Sequence, residues 1–311
     1  MLPEAVQPSQ PTKPSEPALL ALNRVADHSK RGHASILHAM FEILCRTPPA
    51  LRPRLQRVAI RTWYSLFSRL IPNDGASVTF LNYGYARLDG TARRVPLRPE
   101  DVRDEPNIEL YEHVTASMDL SGRDVLEVGC GRGGGSSYLA RYRQPRTMTG
   151  VDLAPRAVAF CRRRHKAANL KFLEGDAENL PFPAGSFDAV VNVESSHCYP
   201  SFDRFLHEVL RVLRPEGAFL FADLRPREQV AEMRDQLCRA FTVVEDERIT
   251  PNISRALTLH SADRNAMILE LVPRGLRHVV REFAAVEGTA VFRALKEGDL
   301  EYVRFFLRKP A

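Results

Sequence analysis

The chain has 311 residues, of which 44% are hydrophobic and 26% charged, and a formal net charge of +6. These proportions are typical of a globular protein that buries one large α/β core plus extra elements. The sequence contains no apolar run of the roughly 20 residues that a membrane helix needs, and no signal-peptide pattern. Its five cysteines are scattered without a CxxC pair. We therefore expect a cytoplasmic protein with no zinc site or disulfide framework.

The first hundred residues differ in composition from the rest. Prolines recur among polar residues up to Pro17, which predicts a disordered leader over residues 1–19. Residues 20–100 are predicted to form a helical cap region, and residues 1–77 hold ten Lys or Arg against five Asp or Glu. Between Leu55 and Leu70 an apolar helix face lies opposite arginines. The pattern leaves three partners open for this helix: a membrane surface, a second copy in a homodimer, and the protein's own core.

A strand, a glycine-rich turn and a helix follow one another in residues 125–138, VLEVGCGRGGGSSY. Glycines permit positive φ and close approach of a ligand, and free amides at a helix start favour an anionic group. Ser136 or Ser137 is expected to cap the helix. Because Gly129, Gly131 and Gly134 also satisfy GxGxxG, a nicotinamide or flavin nucleotide is equally compatible with this turn alone.

Strands and helices alternate beyond that turn. Strands are predicted at about 124–129, 147–152, 170–174, 188–194 and 218–224, and helices near 135–142, 155–166 and 202–213. A helix at about 107–118 precedes them. Another helix, a strand near 241–249, two helical stretches across 251–281 and a final strand follow. The expected fold is a Rossmann-like α/β domain over residues 101–311, with a seven-stranded, mostly parallel sheet, helices on both faces and a helical insertion at about 225–281.

Two acidic residues downstream of the glycines indicate which nucleotide-like ligand binds. Asp152 stands at the carboxyl end of the second strand, where a carboxylate can accept hydrogen bonds from a ribose diol. The third strand ends in Gly175-Asp176-Ala177, which places Asp176 to bind an adenine amino group. The order of these residues favours S-adenosylmethionine over a dinucleotide.

The runs GRGGGSSYLA, GDAENLPF and NVESSHCYP resemble class I S-adenosylmethionine-dependent methyltransferases. They are most similar to the phthiotriolone/phenolphthiotriolone dimycocerosates methyltransferase group and related polyketide O-methyltransferases, over most of residues 105–310. The resemblance implies S-adenosylmethionine as cofactor and O-methylation of a hydroxyl on a lipid or polyketide. It also implies that Glu127 anchors the glycine turn and that Tyr111 closes over the cofactor. The implied cofactor-binding residues are Tyr111, Glu127, Gly129, Gly131, Gly133, Asp152, Leu153, Asp176, Ala177 and Asn192.

Transfer of a methyl group to a hydroxyl requires a base, and histidine titrates in the useful range. His197 lies just past the fourth strand, at the ligand-binding edge of the predicted sheet. We predict that it is the general base, with a structural role as the alternative. Glu194 is expected to orient His197, to contact the methionine amino group, or to make a loop hydrogen bond. Asp223, at the end of the fifth strand, is placed to reach the substrate pocket.

Other functions fit the sequence less well. GDAENLPF disfavours a nicotinamide oxidoreductase, and Asn192-Val193-Glu194-Ser195 replaces the Asn/Asp-Pro-Pro-aromatic motif of many nucleic-acid methyltransferases. We therefore expect no nucleic-acid partner. C-methylation and cyclase activity remain open. Residues 20–98 and 225–290 supply more apolar cover than a cofactor needs, which predicts an apolar small-molecule or carrier-bound acceptor.

Overall fold

The computed structural model describes Thr62, residues 78–91 and residues 96–310. The predicted leader and the basic amphipathic helix between Leu55 and Leu70 lie outside these residues, apart from Thr62, as does most of the predicted cap region. Those expectations and the domain boundaries stay predictions. No helix in the described part of the chain is long and apolar enough to cross a bilayer.

One seven-stranded sheet organises the described chain, and it confirms the predicted fold class. Its order is β3-β2-β1-β4-β5-β7-β6. Strands β1 to β5 are parallel, whereas β7 runs antiparallel to both β5 and β6. The strands are β1 (Asp124–Val128), β2 (Thr147–Asp152), β3 (Leu170–Glu174), β4 (Phe187–Val193), β5 (Leu213–Pro226), β6 (Thr242–Arg248) and β7 (Leu300–Arg308).

Strand β5 begins earlier than the sequence pattern indicates. Leu213 already pairs with Phe187 of β4, and the register then shifts before Ala189 pairs with Ala218. The shift coincides with Glu216, whose φ of 60° breaks the regular strand geometry. The polar residues around this irregularity hide the first part of the strand from a hydrophobicity pattern.

The described helices cover both faces of the sheet. They are α1 (Glu105–Thr115), α2 (Gly134–Tyr142), α3 (Pro155–Arg164), α4 (Phe202–Val212), α5 (Arg227–Ala240), α6 (Thr250–Leu259), α7 (Ser261–Leu271), α8 (Arg277–Phe283) and α9 (Ala290–Glu297). The predicted serine cap of α2 is wrong. The residue before α2 is Gly133, in the left-handed region with a φ of 77°, and both serines lie inside the helix.

Two buried apolar clusters hold these layers together. On one face Leu110 of α1 and Leu139 of α2 pack with Leu220 of β5. On the other face Phe205 of α4 packs with Phe219, and Met233 of α5 joins the same cluster. Because both faces are covered, the central strands are apolar on both sides, as expected for a parallel sheet.

The stretch predicted as a helical insertion divides into two parts. Helix α5 and strand β6 belong to the sheet layers, because α5 packs on β5 and β6 pairs with β7. Helices α6 to α9 then connect β6 to β7. A third apolar cluster joins α7 and α8 to Val78 and Leu81. The segment before α1 is thereby fixed against the connecting helices and lies beside the carboxyl ends of the strands.

Candidate active site

The loop between β1 and α2 is a tight turn built from left-handed glycines. Gly129, Gly131 and Gly133 have φ values of 75°, 54° and 77°. The amides of Gly129 and Cys130 both donate to the carbonyl of Val151 in β2, at 2.8 and 3.0 Å. We call residues 129–135 the glycine loop. Its backbone is fixed by the neighbouring strand before any ligand binds.

The glycines of this loop have different reasons to lack a side chain. A Cβ on Gly129 would lie 2.6 Å from the Tyr199 hydroxyl, and one on Gly134 would lie 2.7 Å from the Phe80 ring. Protein packing therefore requires glycine at both positions. A Cβ on Gly131 would meet only Leu81, at 3.4 Å. Gly131 is the position where a ligand has room to approach the backbone.

Two amides at the start of α2, which the sequence suggested as free, already have partners within the protein. The Gly134 amide donates to the carbonyl of Thr79 at 3.1 Å. The Ser136 amide and hydroxyl both donate to the buried carboxylate of Glu127. A buried carboxylate at a helix start satisfies its amides and complements its dipole. The expected anion site at these two amides is therefore already filled by the protein.

Glu127 anchors the glycine loop from below. It also accepts a hydrogen bond from the Tyr111 hydroxyl at 2.6 Å, so it joins α1, β1 and α2. Burial raises the pKa of Glu127 to about 7, although the bonds from Ser136 and Tyr111 act to lower it. The carboxylate does not line the cavity described next. This placement agrees with an anchoring role and not with direct ligand contact.

A cavity opens beside the glycine loop at the carboxyl ends of β1 to β4. We call it the main cavity. Seven of the predicted binding residues line it: Tyr111, Gly129, Gly131, Asp152, Leu153, Asp176 and Ala177. Its other lining residues are Thr79, Phe80, Leu81, Asn82, Val128, Cys130, Arg132, Gly134, Gly135, Val151, Ala154, Gly175, Glu178, Val193, Glu194, Ser195, Cys198, Tyr199 and Pro200.

Two carboxylates mark adjacent strand ends in the main cavity. Asp152, after β2, accepts the Gly131 amide on Oδ2 and the Ala154 amide on Oδ1, both at 2.8 Å. Burial raises the pKa of Asp152 to about 6, against the lowering effect of these two bonds. Each oxygen keeps a further lone pair, so the group can accept both hydroxyls of a diol. Asp176, after β3, accepts the Glu178 amide at 2.9 Å.

Asn192 and Gly133, like Glu127, do not line the main cavity, and their contact with the cofactor stays a prediction. Asn192 is fully buried, and its Nδ2 donates to the Val128 carbonyl at 2.9 Å and to Ser195 Oγ at 2.8 Å. It ties β1 to the loop after β4. Gly133 faces α3 and β3, since a Cβ there would lie 2.9 Å from Cys161 and from Phe172. Both residues support the loop.

His197 is oriented by Asp223, not by Glu194 as the sequence allowed. His197 Nδ1 lies 2.7 Å from Asp223 Oδ1, and the His197 amide donates to Oδ2 at 2.9 Å. Asp223 is completely buried in β5 and also pairs with Arg225 at 3.1 Å. The His197 side chain remains 32% exposed. It does not line the main cavity, but its neighbour Cys198 does.

The pair formed by His197 and Asp223 is strongly polarised. Burial acts to lower the pKa of His197, but Cys198 and Asp223 outweigh it and raise that pKa well above the ordinary value. The pKa of Asp223 is lowered, because His197 and Arg225 outweigh its burial. At neutral pH the pair is therefore mainly an imidazolium beside a carboxylate.

Sequence reasoning missed one wall of the cavity. Residues 79–82 lie against the glycine loop, although the sequence places them only within the predicted helical cap region. Arg132 Nε donates to the Val78 carbonyl at 2.6 Å, which fixes the start of this segment. Its density of aromatic residues was the available signal, since a solvated linker does not need Phe80, Tyr83 and Tyr85, all of which are buried.

Comparison with known proteins identifies relatives over most of the chain. Residues 126–221 match the family described as "Methyltransferase domain". The phthiotriol/phenolphthiotriol dimycocerosates methyltransferase of Mycobacterium tuberculosis is 40% identical over 250 residues, 80% of this chain and 91% of that protein. A fatty-acid O-methyltransferase of Mycolicibacterium smegmatis is 38% identical over 275 residues, 88% of this chain and 98% of the relative.

Solved structures share the fold at lower identity. The cyclase SpnF is 22% identical with a TM-score of 0.60, covering 81% of this chain and 95% of that one. The geranyl diphosphate C-methyltransferase of Streptomyces coelicolor A3(2), solved with S-adenosyl-L-homocysteine, is 17% identical with a TM-score of 0.57, covering 82% and 98%. These likenesses concern the fold alone.

Proposed function

The chain belongs to the class I S-adenosylmethionine-dependent methyltransferases, and we propose that it methylates an oxygen of a long, apolar, lipid- or polyketide-like acceptor. The names of its two relatives support this class of acceptor, since they refer to phthiotriol dimycocerosates and to fatty acids. The name of the second relative also specifies transfer to oxygen.

The main cavity has the donors and acceptors that the cofactor requires. S-adenosylmethionine, when bound, supplies a methyl group on a positively charged sulfur. In our proposal Asp152 accepts the ribose hydroxyls and Asp176 accepts the adenine amino group. The open space above Gly131 fits a ligand that approaches the backbone there. Tyr111, held by Glu127, closes the α1 side of the cavity.

The contact between His197 and Asp223 is the observation that carries the mechanism. If Nδ1–H donates to Asp223, then Nε2 is the nitrogen that can take a proton. The exposed face of His197, next to a cavity-lining residue, allows an acceptor hydroxyl to reach it. With S-adenosylmethionine supplying the methyl group, His197 Nε2 would accept the proton that the acceptor hydroxyl gives up as its oxygen takes that group.

The raised pKa of His197 sets the pH dependence of this step. Only the neutral imidazole accepts a proton, and at pH 7 it is the minor form. Turnover should therefore rise with pH through the raised pKa and become constant above it. Asp223 makes the neutral form a stronger base and keeps its ring in one orientation.

The remaining features of the proposal concern surroundings and partners. We propose a cytoplasmic protein whose acceptor arrives as an apolar small molecule or on a carrier, with no nucleic-acid partner. Homodimer formation and peripheral membrane contact through the basic N-terminal helix are part of the proposal. The basic excess of residues 1–77 supports the membrane contact, and the apolar face between Leu55 and Leu70 supports either partner.

A panel of acceptors tests the proposed substrate class. The purified chain is incubated with S-adenosylmethionine labelled in its methyl group and with long-chain alcohols, phenolic polyketides, fatty acids and short hydrophilic hydroxy compounds. We expect label in a long-chain or polyketide hydroxyl, and loss of labelling in His197→Gln. Preferential labelling of a short hydrophilic compound contradicts the proposal.

A further inference from the structure

Glu194 lines the main cavity but has no part in the mechanism above. We propose that Glu194 is the counter-charge of the cofactor's sulfonium, and that it distinguishes S-adenosylmethionine from the product S-adenosylhomocysteine. The sulfur of the product is neutral, whereas the rest of the two molecules is the same. The inference concerns the cofactor only and does not depend on the identity of the acceptor.

The order of the strands places Glu194 on the side of the sulfur. Along the sheet, Asp176 follows β3, Asp152 follows β2, the glycine loop follows β1 and Glu194 follows β4. A ligand with adenine at Asp176 and ribose at Asp152 extends over β1 towards β4. Neighbouring strands are about 4.8 Å apart, so this path spans only two strand spacings beyond the ribose. Glu194 is the carboxylate among the lining residues at that end.

The backbone and two donors hold this carboxylate in place. Glu194 has a φ of 51°. Four non-glycine residues in the described chain have a positive φ, and of these Glu194 lines the main cavity. Such a conformation is unfavourable for glutamate and persists only where surrounding contacts impose it. The Tyr83 amide and the Tyr302 hydroxyl donate to Oε2 at 2.9 and 3.0 Å. Oε1 accepts no hydrogen bond from the described residues, so it remains available to a cation.

The surroundings of Glu194 make its charge responsive to a positive ligand. Burial raises the pKa of Glu194 to about 7, so a part of the protein carries the protonated group at neutral pH. A sulfonium placed beside it favours the ionised form. The titratable and charged side chains that act on Glu194, or are acted on by it, are Tyr83, Tyr111, His197, Asp223, Arg264 and Tyr302.

This arrangement has a consequence for turnover. The sulfur loses its positive charge as the methyl group leaves, so the contact with Glu194 is strongest before transfer and weak after it. An interaction of this kind improves binding of the cofactor and does not lower the barrier to transfer from the bound complex. It also favours release of the neutral product.

Calorimetric titration of the full chain with each of the two ligands tests the proposal. We expect Glu194→Gln, which preserves shape and an acceptor oxygen, to weaken S-adenosylmethionine binding by about 10- to 150-fold, the range for a charge-assisted contact. Binding of S-adenosylhomocysteine should not change. Glu178→Gln, another buried cavity-lining carboxylate, is the matched control and should change both affinities alike.

Proton release gives a second readout on the unmodified protein. At pH 7, titrations in buffers of different ionisation enthalpy should show more protons released with S-adenosylmethionine than with S-adenosylhomocysteine. Asp152 meets the same ribose in both ligands, so its contribution cancels in the difference. Equal proton release, or equal weakening of both ligands in Glu194→Gln, overturns the proposal and assigns Glu194 to the shared ammonium group. Unchanged affinity for both ligands overturns it in favour of a structural role.

Discussion

Replacing Asp152 by asparagine tests the proposed ribose contact of the cofactor site. In the native protein both carboxylate oxygens accept a backbone amide, from Gly131 and Ala154. Asparagine can keep only one of these bonds, because its NH2 group points a donor at the other amide. The substitution therefore removes the charge that we propose to hold a ribose diol, and it disturbs the glycine loop at the same time.

The size of the effect follows from these bonds. A hydrogen bond to a charged group contributes about 1.5–3 kcal/mol, so the loss of one ribose contact lowers affinity by about 10- to 150-fold. The unpaired buried amide costs about 1–3 kcal/mol of stability in addition. Because burial raises the pKa of Asp152 to about 6, native affinity should increase from pH 5 to pH 7 as the group ionises. That increase should be smaller in Asp152→Asn.

Calorimetry with S-adenosylhomocysteine at several pH values measures both effects, and thermal unfolding gives the stability term separately. Glu228→Gln, an exposed carboxylate at the start of α5, is the matched control and should leave affinity unchanged. If Asp152→Asn binds as tightly as the native chain, with the same pH profile, then Asp152 does not contact the ribose.

Three further predictions concern other parts of the site. Asp223→Asn should lower the pKa of His197 towards its ordinary value of about 6.5, so the rise of turnover with pH moves to lower pH. The plateau of turnover should also fall, by about 10²- to 10⁴-fold if base catalysis is lost. An unchanged pH profile of turnover contradicts the pairing of His197 with Asp223. Gly133→Ala should destabilise the fold by about 2–4 kcal/mol in urea titration, through its φ of 77° and overpacking on α3, whereas Gly90→Ala, with nothing nearby, should cost less. The folded pKa of Glu127 is raised to about 7, so its contribution to stability is lost as pH rises from about 4.5 to 7. In Glu127→Gln the free energy of unfolding should lose about 3 kcal/mol of its change over this pH range. The same pH dependence of unfolding in the variant and in the native chain would refute the prediction.

The fold was accessible from the sequence because its signals are local. Apolar strands and amphipathic helices alternate from Asp124 onwards, and a glycine turn follows the first strand. A parallel sheet is the arrangement that buries such strands on both faces. The carboxyl ends of those strands then locate Asp152 and Asp176. Both acidic residues line the main cavity as predicted.

Sequence and structure differ where a residue's role depends on partners distant in the chain. Asn192 stands one strand position from the cavity, but its side chain points to the Val128 carbonyl, 64 residues away in the chain. The partner of His197 is Asp223, 26 residues on, while the nearer Glu194 is held by Tyr83 and Tyr302. Spacing along one strand cannot decide between such partners, since they come from different strands and loops.

In our proposal this methyltransferase transfers a methyl group to an oxygen of an apolar acceptor with the help of His197. The most direct measurement is the position of a ¹³C-labelled methyl group in the product, determined by NMR for the best acceptor of the panel. We predict a methyl carbon bonded to oxygen, formed by the native chain and strongly reduced in His197→Gln, with S-adenosylhomocysteine affinity unchanged. A methyl carbon bonded to carbon, or full turnover of His197→Gln, would contradict the account.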